Sequence, residues 1–472
     1  MPVILWTDAL LYLLLIALTA FVVYVLRTPH ARGPWRRVFS SHVGMAALVI
    51  LCAYLVVGVL DSIHYRPAVP GGKPGHTRYS PEVLSLLDRI VAPLREHSEQ
   101  TYSAPFATRL YTRQVVTGPQ GKKRQVYKRL KYGGANLTDP ATQEAGDIAR
   151  RALAGTGWGL LISAAAAGAL ILLLACRRRR PPAAAAADVL RDRTVVRWRT
   201  AIVTLAILVI FVCICTELAA NYHIFGTDKV GEDVFYEALK SIRTGLLIGT
   251  LTTLVMLPFA IALGTMAGYF HGWVDDLVQY VYTTLSSIPG VLLIAAAILM
   301  LQVYMENHSG LYDTTAARAD LRLLFLCLIL GVTSWTSLCR LLRAETLKLS
   351  ELDYVQAAVS LGTRHGRILR RHIVPNVMHI VLIQVVLDFS NLVLAEAVLS
   401  YIGVGVDPSM NSWGNMINSA RLELARDPVV WWPLAAAFVF MLVLVLAANL
   451  FADAVRDAFD PRLRGGSPGG VL

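Results

Sequence analysis

The chain is short of charge. Only 16% of its 472 residues are Asp, Glu, Lys or Arg, against about a quarter in soluble domains, and this excludes a soluble globular protein of this length. Catalytic signatures are also missing. There is no GxSxG, no HExxH and no paired Cys/His spacing, so a membrane enzyme has no constellation to work with. No GxxxxGK[ST] phosphate loop occurs, so the chain does not bind ATP by that route. The six cysteines lie inside or at the ends of apolar runs, and none falls in the long polar segment after residue 61. They read as core thiols rather than disulfides or zinc ligands, and no metal site is expected. Net charge is +12, but no nucleic-acid recognition motif accompanies it.

What is present is apolar. Hydrophobic residues make up 55% of the chain, and the mean hydropathy is +0.53. Nine runs reach the length of about 20 residues that a spanning helix needs. They lie near Ala9–Leu26, Met45–Leu60, Trp158–Ala175, Ala201–Leu218, Leu246–Ala267, Val278–Val303, Leu323–Leu342, Val377–Leu399 and Trp431–Leu450. The expected class is an all-α polytopic membrane protein.

Basic residues set the expected topology. Arg27, Arg32, Arg36 and Arg37 follow the first run, which lacks a basic n-region and is not an obvious signal peptide. This places the N-terminus outside. Alternation then puts Arg177–Arg180, Arg191, Arg193, Arg197 and Arg199 inside, together with Arg340, Arg343 and Lys348, and leaves the C-terminus in the cytoplasm. The loop from Met305 to Asp320 falls outside. The domain reading follows. Residues 1–182 are an N-terminal extension with three spans and an outer polar segment at about 61–155. Residues 183–200 are a cytoplasmic linker, continuing the Arg-Pro-Ala run Arg177–Ala187. Residues 201–464 are a six-span core. The outer segment holds a helical-looking stretch, Ser80–His97, and a hairpin pattern around RQVVTGPQGKKRQVYKRL.

One inner segment is unusual: DYVQAAVSLGTRHGRILRRHIVPNV, Asp353–Val377. A solvated basic loop and a docking surface are both open readings. The detail favours docking. Tyr354, Ala357, Ala358 and Leu361 fall at i, i+3, i+4 and i+7, a one-sided apolar stripe. Asp353 suits the helix start. Gly362 ends the helix. Arg364–Ile373 forms a second helical piece with Ile368 and His372 on one face, and Pro375 opens the next span.

Here the chain resembles the ATP-binding-cassette importer permeases. Asp353-Tyr354-Val355, Gln356-Ala357-Ala358, Gly362 and His372-Ile373-Val374-Pro375-Asn376 are similar to the EAA loop of that family, with Gln356 where the motif has Glu. HIFGTDKVGEDVF, SIRTGLLIG, GYFHGWVDDLV with SSIPGVLL, AEAVLSYIGVGVDPSMNSWGNMI and NLFADAVRDAFDPRL resemble the dipeptide, oligopeptide and nickel permeases, in order, over about Arg199 to Arg464. Glu232, Tyr280 and Thr283 depart from that pattern. The first three spans lie outside it.

The resemblance implies a type I ABC importer permease core of six spans, with about three extra N-terminal spans, in a bacterial inner membrane. It implies a homologous permease subunit, two cytoplasmic ABC ATPase subunits, a periplasmic substrate-binding protein and membrane lipid as partners. It implies peptides or a related small solute as cargo. The chain would bind no cofactor, and ATP and Mg would sit at the ATPase subunits. Asp353, Tyr354, Gln356, Ala357, Ala358, Gly362, His372 and Pro375 would form the ATPase-coupling loop and move as a rigid body in alternating access. No catalytic residue is expected.

Polar groups inside spans are pathway candidates by default: Asp388, Asn391 and Glu396, the last either lining the pathway or held in a structural pair. Trp413 reads as an interfacial aromatic anchor or as part of a gate or binding-protein dock. His223 and His372 read as interface or capping residues. Asp275 and Asp276 are expected on an inner turn, solvated or ion-paired. The rival readings are a non-ABC membrane transporter, which would show repeats and broken helices, and a membrane-anchored sensor using the outer segment as its ligand domain.

Overall fold

The computed structural model describes residues 1–69, 78–117, 123–179, 181–308 and 314–459. Among them, nine helices are long and apolar enough to cross a membrane: Trp6–Arg27, His42–Asp61, Thr142–Arg177, Trp198–Ala219, Val234–Phe270, Gly290–Asn307, Thr315–Ser350, His365–Tyr401 and Trp432–Phe459. Each contains or overlaps one of the nine expected runs. The hairpin's turn, part of the loop from Met305 to Asp320, Arg180 of the linker and the final Asp-Pro-Arg lie outside the described residues.

Two expectations are corrected, both by proline. The run Val278–Val303 is two helices, Gly272–Ser287 and Gly290–Asn307. Pro289 has no N–H to continue a ladder, and Ile288 before it is extended at φ −89, ψ 130. Ser80–His97 likewise holds two short helices, Leu86–Ile90 and Ala92–Glu96, with Pro93 opening the second. The first is fixed by a reciprocal cap in which the Asp88 amide donates to Ser85 Oγ and the Ser85 amide to the Asp88 carboxylate.

The chain forms two compact units. The first gathers residues 1–3, 28–244 and 411–454. The second gathers residues 4–27, 245–410 and those from 455 onward. The first added span is thus grouped with core helices: the Thr7 amide and hydroxyl both donate to Asp320, and both residues are buried. The second and third added spans fall in the first unit.

Small residues set the helix contacts, because lipid removes the hydrophobic drive between helices and leaves packing to hold them. In the first unit, a Cβ on Gly155 would lie 2.7 Å from the Ile214 Cα, and one on Gly159 would lie 2.6 Å from the Ile210 Cα. These two glycines, four apart, seat the third added span against Trp198–Ala219. In the second unit, Gly264 and Gly268 do the same against Cys339 and Arg343, at 2.8 and 2.6 Å from their carbonyl oxygens. That seam adjoins an apolar cluster of Met256, Ala260, Ala267, Trp335, Leu338 and Leu342.

The outer segment is irregular with short antiparallel pairings. Pro2–Val3, His64–Tyr65 and Leu84–Ser85 make a three-stranded sheet, and Gln114–Thr117 pairs with Lys123–Val126 as the hairpin pattern predicts.

Candidate coupling segment and the polar groups of the core

The helix Thr315–Ser350 ends before an extended Leu352, and the short helix Asp353–Ser360 follows. Gly362 closes it with φ +71. The Gly362 amide donates to the Val359 carbonyl at 2.9 Å and the Thr363 amide to the Ala358 carbonyl at 3.1 Å. This is a Schellman termination, and its left-handed residue favours glycine.

The apolar stripe read from the sequence turns outward. Leu361 is 84% exposed; Tyr354 and Ala357 are exposed too, and Ala358 is half-buried. The inward residue is Val355, fully enclosed with Ile368, Ile373 and Tyr269 while Ala358 and Leu369 pack on the cluster. Polar bonds fix the seat. Tyr269 Oη and His365 Nδ1 are 2.8 Å apart. Asn376 Nδ2 donates to Tyr354 Oη at 3.0 Å and to the His372 carbonyl. The half-buried His372 ring lies 6.0 Å from that of Tyr354. Gln356 Nε2 donates to the Ser350 carbonyl at 2.8 Å, satisfying an orphan acceptor at the end of the preceding helix. A glutamate carboxylate could not make that bond, which gives the departure at Gln356 a local role.

The second helical piece differs in detail from the expected one. His365–Ile368 leads into a π turn, Leu369–Ile373, and then into Val374–Tyr401 with Pro375 near its start. Pro375 cannot donate to the Arg371 carbonyl and would crowd it, so the helix widens just before it.

The three polar groups of the following span do not share one environment. Asp388 is half-buried and accepts from Gln384 Nε2 at 2.9 Å. Asn391 is exposed. Glu396 is 1% exposed and accepts from Ser400 Oγ at 2.7 Å. In the first turn of the helix Gly272–Ser287, Asp275 is ion-paired: Arg343 grips it with Nε and Nη2, the latter at 2.6 Å. Those hydrogen bonds hold the Asp275 carboxyl below the usual range.

The first unit holds a network that the sequence did not announce. His223 Nδ1 is 2.7 Å from Asp233 Oδ2, and its Nε2 is 3.7 Å from Glu99 Oε1. Burial alone would lower the His223 pKa, but the hydrogen bond to Asp233 and the nearby Glu99 carboxylate outweigh it and raise it to about 9. Glu99 also accepts the amides of Lys131, Tyr132 and Gly133. Lys240 bonds Asp61 and Asp88 at 2.8 and 2.9 Å. Main-chain bonds run alongside, including Thr227 N to Ser103 O, Phe106 N to His223 O and Glu99 N to Gly231 O. Gly231, at φ +89, sits where a Cβ would strike the Glu99 carbonyl. The segment HIFGTDKVGED is therefore pinned against the outer segment. Trp413 joins the same unit: it is 1% exposed and its Nε1 donates to the Ala238 carbonyl at 3.1 Å. It packs against the helix Val234–Phe270.

Nine apolar helices among the described residues define a multi-pass membrane protein. A sequence model of the "Binding-protein-dependent transport system inner membrane component" family matches residues 260–465. The glutathione transport system permease protein GsiD of Pectobacterium atrosepticum is 32% identical over 249 residues, 52% of this chain and 75% of that protein. The dipeptide permease protein DppC of Bacillus subtilis is 28% identical over 51% of this chain and 69% of its own length. The oligopeptide permease protein OppC of the same organism is 29% identical, over 51% and 72%. The chain belongs to this family and is a transmembrane permease subunit of an ABC importer.

Proposed function

We propose that this permease pairs with a homologous permease subunit, binds two cytoplasmic ABC ATPase subunits through Asp353–Gly362, and carries peptides or a related small solute delivered by a periplasmic binding protein. The observation that carries the coupling reading is the split of the short helix. Val355 is fully buried while Leu361, six residues on and turned to another face, is 84% exposed. An apolar face held out by a locked, glycine-terminated helix costs solvation unless a partner covers it. The seat under Val355 makes the helix move with its spans rather than flex, which is what transmission by rigid-body movement needs.

ATP and Mg belong to the ATPase subunits in this reading, and this chain contributes no hydrolytic group. The cargo follows from the relatives, which are named for glutathione, dipeptides and oligopeptides. The basic loops put the coupling segment and the C-terminus in the cytoplasm and the N-terminus outside the inner membrane. Asp388, Asn391 and Glu396 line or brace the translocation path, with Asp388 the group best placed to meet cargo, being neither enclosed nor fully exposed. The test is uptake of labelled di- and tripeptides by cells carrying Ala357→Arg. Transport should fall to background while the chain stays in the membrane. Normal uptake would remove the coupling assignment.

A further inference from the structure

Arg364, Arg367, Arg370 and Arg371, with Gly366 and Pro375, line one open groove of about 700 Å³. All four arginines are exposed. Among the described residues none of the four has a carboxylate within ion-pair distance, whereas Arg343, Arg322, Arg197 and Arg151 each do. All four line that one groove, so their charges are set side by side. Like charges set side by side repel unless an anion lies among them.

Position selects the anion. The apolar helix starts at Val374. Arg371 and Arg370 stand in the π turn directly before it, within about 6 Å at no more than 1.5 Å per residue, and Arg367 and Arg364 stand farther out. The headgroup layer is roughly 5–8 Å thick on each side of the hydrocarbon. The inner pair of arginines therefore falls within it, and the outer pair rims it. The groove lacks the aromatic or aliphatic anchor that a protein interface needs at its centre. The neighbouring helix has such a face, in Tyr354, Ala357 and Leu361, so the two surfaces differ in kind.

We propose that this groove binds the phosphate headgroup of an anionic phospholipid. Guanidinium groups match phosphate oxygens two at a time, and basic clusters next to a span attract acidic lipids. Held there, the headgroup neutralises the arginines and ties the base of the helix His365–Tyr401 to the membrane surface.

The test is native mass spectrometry of the full-length chain in detergent doped with phosphatidylglycerol or with phosphatidylcholine. The wild type should retain phosphatidylglycerol preferentially, and added inorganic phosphate should not displace it. Arg370→Gln with Arg371→Gln should weaken that retention roughly thirtyfold, at about 1 kcal/mol per basic residue. Arg→Lys at both positions keeps the charge and the fold and should retain most of the preference. If the double Gln variant does not fold, the wild type must still lose phosphatidylglycerol as salt rises. Equal retention of both lipids by the wild type would overturn the proposal. So would unchanged phosphatidylglycerol retention in a folded Gln variant, or displacement of lipid by inorganic phosphate alone. Loss of a co-purifying ATPase with lipid retention intact would assign the arginines to a protein partner instead.

Discussion

The outer segment and the coupling segment are both polar stretches between spans, yet they are held by opposite means. The outer segment is fastened by buried charge. Lys240 is shared between Asp61 and Asp88, His223 sits between Asp233 and Glu99, and several backbone bonds run beside them. The coupling segment rests on a small apolar seat, Val355 among Ile368, Ile373 and Tyr269, and presents its other apolar face to solvent. The first arrangement satisfies itself. The second leaves an apolar face open, which the proposed ATPase would cover. Buried ion pairs are costly to break, because removing one member strands the other. An exposed apolar face can be changed with little effect on the fold, and its loss is felt only in assembly. The two regions should therefore fail differently.

The largest effect is expected at the open face. Leu361→Asp should abolish transport while the purified chain melts within a degree or two of the wild type, since exposed substitutions usually shift stability by under about 0.5 kcal/mol. A melting loss as large as the transport loss would show that the face is structural. Ala357 suits the same purpose. Ala358 does not: it packs on the Val355 cluster, so an arginine there would unseat the helix as well as block docking.

Next is Lys240→Met, which strands Asp61 and Asp88 and should cost about 3–5 kcal/mol. Thermal unfolding followed by tryptophan fluorescence reads it. A change under 1 kcal/mol would mean that the cluster does not fasten the outer segment.

The histidine gives a pH test. Its folded pKa, about 9, lies above its ordinary 6.5. A raised base stabilises the fold fully below pH 6.5 and loses that contribution as pH climbs through 9. The total is at most about 3–4 kcal/mol. Stability measured from pH 6 to 10 should fall over that window, and Glu99→Gln should flatten part of the fall. A profile unchanged by Glu99→Gln would separate Glu99 from the histidine.

The smallest effect sharpens the coupling side. Gln356→Glu restores the family's residue but removes the donor to the Ser350 carbonyl and adds negative charge at a helix C-terminus. It should cost about 1 kcal/mol, visible as faster amide exchange at Gln356–Ser360. Unchanged exchange would show that the amide bond carries no weight.

The spans were legible because about 20 apolar residues have few other uses, and the short helix Asp353–Ser360 because its Gly362 and its stripe are local signals. The stripe's direction was not legible, since periodicity marks a face without saying whether the fold or a partner covers it. The split at Pro289 was written in the sequence as proline, but a long apolar run masked it. Glu99 could not have been paired with His223, because that contact joins segments far apart in the chain. The same holds for Lys240 with Asp88. Gly155 and Gly159 show a spacing that signals close packing, but the partner positions, Ile214 and Ile210, emerge only from the fold. Of the candidate pathway residues, spacing alone could not tell that Glu396 is enclosed and Asn391 open.

The most direct test of the central claim is co-purification in mild detergent, with the chain expressed beside its neighbouring genes and the recovered subunits weighed by mass spectrometry. The account predicts a second permease and ATPase chains with the wild type. With Ala357→Arg it predicts the second permease still present and the ATPase lost. ATPase recovered equally with both proteins would contradict it.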